Sequence, residues 1–190
     1  MTTGGQRTGG GVPVNHRPGY DGGGFAAVDV CYPPAGGARA AIVVAGDVAL
    51  AGRMAKWTAF LPRVLPYRSG QFFLRELPPL RAVLADVGHP SLVVIDGYVD
   101  LDPHGLPGLG SYVHQEFTVP VVGVAKTSYR TASHAVPVLR GASARPLFVT
   151  AAGVPLPEAA GMVRQMAGRF RLPDALRRVD ALARGTQLPA

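Results

Sequence analysis

The chain has 190 residues, 47% of them hydrophobic, and a formal charge of +7 at pH 7. That is the length of one domain with ample core material, and the single cysteine, Cys31, excludes an internal disulfide and a multi-thiolate zinc cluster. The cationic excess is almost all arginine, with Lys56 and Lys126 the only lysines, so a nucleic acid is the first partner to consider, although an Arg-biased composition would give the same balance.

Residues 1–24 hold nine glycines and two prolines. They are too poor in apolar side chains to offset the entropy of ordering, and a flexible Gly-rich tail is expected there. The same stretch has no apolar run of the signal-peptide kind. No stretch of the chain approaches the roughly 20 apolar residues of a membrane span. A cytoplasmic protein without membrane contact is therefore expected.

From Phe25 the texture changes. Phe25 to Tyr32 reads as a strand ended by Pro33-Pro34. Ala38 to Val44 reads as a second strand and Val48 to Trp57 as a weaker third. Their short connections favour an antiparallel meander. Phe60 to Gly70 is a proline-interrupted loop. Leu74, Leu77, Leu80, Leu84 and Val87 recur at helical spacing, and Pro78 and Pro79 place the start of the regular helix near Pro79. Ser91 to Asp96 and Val119 to Val124 are continuous apolar runs of the kind found in strands buried on both faces. Helices are expected over Leu109 to Phe117, Leu156 to Phe170 and Pro173 to Ala183, with a late strand over Pro146 to Thr150. The order predicts an α/β domain of ribonuclease H-like architecture over 25–185: three antiparallel strands, then parallel strands flanked by helices. Residues 186–190 form a short tail.

Only twelve residues are acidic, so carboxylates inside apolar strands stand out. Asp29 interrupts Ala26-Ala-Val-Asp-Val-Cys, and Asp96 ends Leu92-Val-Val-Ile-Asp. Sites of open α/β sheets gather at the carboxyl ends of strands. Glu76 stands at the opening of a helix. An unpaired buried carboxylate costs several kcal/mol and needs a partner, a proton or a metal. The three could converge on one Mg²⁺, which prefers oxygen ligands. Each alone is equally a turn former, a cap or a charge offsetting the helix dipole.

The surrounding motifs resemble the bacterial endonuclease V family. They are Ala27-Val-Asp-Val-Cys-Tyr32, Pro66-Tyr-Arg-Ser-Gly-Gln-Phe-Phe-Leu-Arg-Glu76, Val94-Ile-Asp-Gly97, Val122-Gly-Val-Ala-Lys-Thr127, Arg145-Pro-Leu-Phe-Val-Thr150 and Phe170-Arg-Leu-Pro-Asp174. The resemblance runs from Phe25 to about Arg184. It implies a ribonuclease H-like fold and Mg²⁺-dependent hydrolysis, with Mn²⁺ as an alternative cation. It further implies a nick at the second phosphodiester 3′ to a deaminated base such as deoxyinosine. Carried over by position, Asp29 and Asp96 would hold the metal, Glu76 would act through metal-bound water, and Asp180 would complete the acidic cluster. Tyr67 would be a strand-separating wedge, Lys126 a phosphate contact, and Gly70 and Gly97 points of close backbone approach to the flipped base. A monomer is expected.

Two departures bear on specificity. The family's N-terminal helix, of about thirty residues, is replaced by the Gly-rich tail. After Gly97 the chain reads Tyr98-Val-Asp-Leu-Asp-Pro-His104, with Asp102 where the family carries His and His104 two positions on. Asp102 either adds charge at the site or points to solvent. Besides a nuclease for deaminated DNA, three alternatives are an inosine-directed endoribonuclease, a nucleic-acid binder without turnover, and another ribonuclease H-like nuclease such as a junction resolvase.

Overall fold

A computed structural model describes residues 23–68 and 71–186. The expected tails fall almost wholly outside these residues, as does Gly70.

The first three strands are β1 (Phe25–Cys31), β2 (Ala38–Ala45) and β3 (Ala55–Leu61). After them come α1 (Phe72–Leu84), β4 (Leu92–Asp96), α2 (Leu109–Phe117) and β5 (Val121–Ala125). The chain continues with β6 (Val136–Val138), β7 (Leu147–Ala152), α3 (Leu156–Gln165) and α4 (Asp174–Arg184). The seven strands form one sheet in the order β3-β2-β1-β4-β5-β7-β6. β2 runs antiparallel to both β1 and β3, and β4 and β5 run parallel to β1. β7 and β6 return antiparallel at the far edge.

The alternation along β1 and β2 divides the core. Ala27, Ala41 and Val43 join Val94, Val124, Leu147, Val163, Leu176 and Val179 beneath α3 and α4. Val28 and Ile42 join Leu80, Val83, Val93, Ile95 and Val113 beneath α1 and α2. β4 and β5 contribute to both layers, which is why their sequences are continuously apolar.

Three local expectations shift. The third strand lies over Ala55–Leu61 because its pairing with β2 fixes Ile42 opposite Trp57 and Ala38 opposite Leu61. Helix α1 begins at Phe72 and carries Pro78 and Pro79 inside it. Their lost backbone bonds are tolerated because Pro79, Leu80, Val83 and Leu84 are buried together against the sheet. The helix expected to reach Phe170 ends at Gln165. The loop that follows wraps the buried guanidinium of Arg140, which donates to the carbonyls of Met166, Gly168 (3.1 Å) and Phe170 (3.1 Å).

Candidate active site

The strand order reverses between β1 and β4: the chain leaves β1 toward β2 and leaves β4 toward β5. Such a switch point opens a crevice at the carboxyl ends of the parallel strands. The register pairs Val28 with Ile95, so Asp29 and Asp96 stand side by side at that end. Asp96 in turn pairs with Val124, which sets Lys126 just beyond the end of β5. From the other face α1 brings Glu76 to the same place. Asp29, Glu76 and Asp96 line one cleft with Val28, Val30, Leu80, Ile95 and Leu109. The cleft encloses only about 10 Å³, against at least about 300 Å³ for a pocket that engulfs a small molecule. It is a shallow cleft and not an enclosing pocket.

Electrostatically Asp29 and Glu76 are under strain. Burial, reinforced by the charges of Asp96 and Asp180, pushes the Asp29 carboxyl up to about 7, against the pull of the Val30 N–H and Lys126. The Val30 N–H donates to Asp29 Oδ1 at 2.8 Å. Burial and the charges of Asp29 and Asp96 raise Glu76 to about 8, opposed by Arg75. Asp96 has a cation of its own, since Lys126 Nζ donates to its Oδ2. Asp180, on α4, is within electrostatic reach of Asp29 and accepts from Arg184 Nε at 3.0 Å. The structure thus brings Asp29, Glu76, Asp96 and Lys126 together, with Asp180 at the margin.

The donor set suits a hard divalent cation. Among the described residues no three His, Cys, Asp or Glu side chains form a ready-made coordination shell. Mg²⁺ does not require one, because it binds through one or two carboxylates and keeps waters and substrate phosphate as its remaining ligands. Asp29 and Glu76 have raised proton affinities and no cation within hydrogen-bonding distance among the described residues, so positive charge placed between them is favoured.

Tyr67 is 62% exposed on the loop before α1, its ring edge-on to Phe72 at 5.9 Å. Gly97 adopts φ +147°, a conformation open to glycine, and its N–H donates to the Val124 carbonyl at 3.2 Å. A Cβ at Gly123 would sit 2.6 Å from the Gly97 carbonyl oxygen, so the turn that follows Asp96 is packed directly onto β5.

Three supporting residues, Thr150, Arg171 and Arg75, lie inside the family-like motifs without a role evident from their sequence. Thr150 is buried, and its Oγ1 accepts from the Val99 N–H at 2.8 Å, fixing the segment after Gly97. Arg171 donates to the carbonyls of Lys126, Arg145 (3.0 Å) and Pro146 (2.7 Å), holding the backbone that carries Lys126. Arg75 lies 3.8 Å over the Tyr32 ring beside Glu76. Their signal was a polar side chain inside an apolar or proline-bounded motif. The substituted loop is also ordered by its own residues. Asp102 Oδ1 accepts from the N–H groups of His104 and Leu106, both at 2.9 Å, and these bonds hold its carboxyl below the usual range. Asp102 is the opening residue of a turn.

Residues 21–181 match the endonuclease V family profile.

The chain belongs to the endonuclease V family.

The endonuclease V of Azotobacter vinelandii is 33% identical over 180 residues, covering 84% of this chain and 81% of that protein. The crystal structure of the Streptomyces avermitilis endonuclease V superposes with a TM-score of 0.70 at 29% identity, covering 90% of this chain and 84% of the other. At 18% identity, the Ciona intestinalis endonuclease V in complex with a 23mer DNA containing an inosine followed by a ribo-adenosine shares the fold, with a TM-score of 0.69 over 85% and 83% of the two chains. Endonuclease V proteins have a ribonuclease H-like fold and are metal-dependent nucleases. This member is accordingly an endonuclease that hydrolyses phosphodiester bonds. Among the described residues no helix is long and apolar enough to cross a membrane.

Proposed function

We propose that the protein is a DNA repair endonuclease of the cytoplasm, acting as a monomer, that nicks DNA at the second phosphodiester 3′ to a deaminated base, deoxyinosine first. The observation that carries this reading is the convergence of Asp29, Glu76 and Asp96 at the switch point, where burial leaves Asp29 and Glu76 in need of positive charge. The inosine-containing DNA bound by the Ciona intestinalis relative is consistent with the substrate.

In this reading Asp29 and Asp96 hold Mg²⁺, with Mn²⁺ able to replace it. The cation supplies charge neutralisation at the phosphate and lowers the pKa of water. Glu76 orients the attacking water and takes its proton. Lys126, held by Asp96 and by the Arg171-anchored backbone, turns its ammonium to the scissile phosphate as a point charge. Asp180 keeps Arg184 beside the cleft and adds to the negative field that selects a divalent cation. The Tyr67 ring enters the stack where the altered base leaves it. Gly97, with no side chain, lets the extruded base approach the backbone, and Gly70 has the same role in the wedge loop.

The test is incubation of matched strands carrying one deoxyinosine, one inosine or no lesion, with Mg²⁺ and with chelator. Nicking of the deoxyinosine strand, abolished by chelator, is the expected result. Cleavage confined to the inosine strand would establish an endoribonuclease, and binding without cleavage of any strand would remove the enzymatic reading of the carboxylates.

A further inference from the structure

A groove larger than the carboxylate cleft lies elsewhere on the molecule. It encloses about 380 Å³ between α4 and the outer strands, over Val43, Met54 and Leu182, with Lys56 and Arg178 at its rim. Its origin is architectural. Helix α4 packs across β1 and β2, and the α4 face of β3 presents Lys56, Thr58 and Phe60 exposed at two-residue spacing. Phe60 is 54% exposed.

The charge of this face is one-sided. The groove is lined by Lys56 and Arg178 and by no carboxylate; between Val30 and Arg75 the only carboxylate is Asp47, against five cations, and Asp47 accepts from the Ala51 N–H at 3.2 Å. Arg178 reaches the Gly52 carbonyl at 3.5 Å. Among the described residues neither Lys56, Arg178 nor Arg39 has an ion-pair partner. The face also continues to the cleft. Arg39 pairs with Phe60 on one side and with Cys31 on the other, two residues from the Ala41 that pairs with Asp29. Its guanidinium lies against Gly185 at the end of α4. From Arg39 to Lys56 the strands cover about 13 Å, a distance spanned by about four nucleotides of one DNA strand.

We infer that this face, Arg39, Phe60, Thr58, Lys56 and Arg178, is a DNA-backbone track that carries the duplex arm leaving the cleft past β3. The inference rests on the nuclease reading above and extends it to a surface outside the quoted motifs. The occupant is a polyanion because the groove offers cations with no carboxylate to answer them. The chain's own residues 1–22, with Arg7, His16 and Arg17 against Asp21, lack the complementary charge. Lys56 and Arg178 contact phosphates, the Thr58 hydroxyl donates to a phosphate oxygen, and Phe60 lies against a sugar face.

The test compares wild type with the Lys56→Ala/Arg178→Ala double variant in the full chain. Binding to a deoxyinosine duplex that extends well past the lesion on both sides is measured from about 50 to 200 mM salt. Removing two phosphate contacts lowers the salt slope by about 1.8, so the wild type should lose about tenfold more affinity than the variant across that range. The single-turnover nicking rate at saturating enzyme should be unchanged. An equal slope in the two proteins, while the wild type still nicks, overturns the track and leaves the nuclease intact. Absence of nicking by the wild type is instead a failure of the nuclease reading. In a second measurement Phe60 is replaced by a photo-crosslinking benzoylphenylalanine. Crosslinks to the flanking DNA support the track; crosslinks to residues 1–22 or to a second copy of the chain overturn it.

Discussion

Lys126 Nζ donates to Asp96 Oδ2 across the ends of the neighbouring parallel strands β5 and β4. The ammonium therefore holds one oxygen of a carboxylate proposed to bind metal, while Asp29 and Glu76 beside it have no such partner. Lys126→Ala should lower single-turnover nicking about 100-fold or more, the loss that follows when one preorganised group facing a developing charge is removed. Lys126→Arg should recover part of the loss. A rate unchanged in Lys126→Ala would show that the pair only orders the end of β5.

Asp29→Asn and Asp96→Asn should each lower nicking by about a hundredfold or more, since the cation's several kcal/mol of charge stabilisation are lost. Gel-shift affinity for the same duplex should stay within about threefold, because phosphate contacts by Arg and Lys supply most of it. Either variant cutting at the wild-type rate removes that residue from the metal site.

The metal-free protein should become less stable as pH rises. The folded-state pKa of Asp29 is raised from 3.8 to about 7 and that of Glu76 from 4.5 to about 8. The native state thus binds protons more tightly than the unfolded chain between these values, and stability falls as pH rises through the window. In chelator, Tm should decline between about pH 4 and pH 8, and Asp29→Asn should flatten the decline and raise Tm at pH 8. Magnesium added at pH 8 should restore stability to the wild type by mass action. A Tm that rises with pH across this window would contradict the strain assigned to the cluster.

Tyr67→Ala should lose roughly 5- to 100-fold more activity on duplex deoxyinosine than on a single strand with the same lesion, since stacking is worth about 1–3 kcal/mol per base. Tyr67→Phe should retain most duplex activity, because the ring and its edge contact with Phe72 survive. Equal losses on both substrates would assign Tyr67 to ordering its loop.

Thr150→Val should cost about 1–3 kcal/mol, because it strands the buried Val99 N–H without an acceptor. The measurement is denaturant unfolding. Thr150→Ser, which keeps the hydroxyl, should be closer to wild type.

Asp29 and Asp96 stood out in the chain because each is a charge within or at the end of an apolar strand run, and the pairing of β1 with β4 sets them side by side. The central strands were legible as continuous apolar runs, whereas Glu76, expected at the opening of a helix, lies in the second turn of α1 because the helix already begins at Phe72. The position of β3 was not, because its alternation is weak and its register comes from pairing with β2, a tertiary constraint with no local trace. β6 is three residues long and contains Pro137, so it carries no strand signal of its own and exists only through its pairing with β7. Asp102 shows the opposite limit: its type suggested charge at the site, and only the two N–H groups it accepts revealed a turn.

Pro78 and Pro79 offer no N–H, so the carbonyls of Leu74 and Arg75 have no helical partner. The turn bearing Arg75 and Glu76 is therefore joined to the rest of α1 by fewer backbone hydrogen bonds than an uninterrupted helix supplies. Residues 72–77 and 80–84 form two units of unequal stability, and amides of the first should exchange with solvent through openings that leave the second protected. Glu76 lies in the weaker part, so an opening of residues 72–77 displaces the carboxylate together with Phe72, the ring against which Tyr67 stands edge-on.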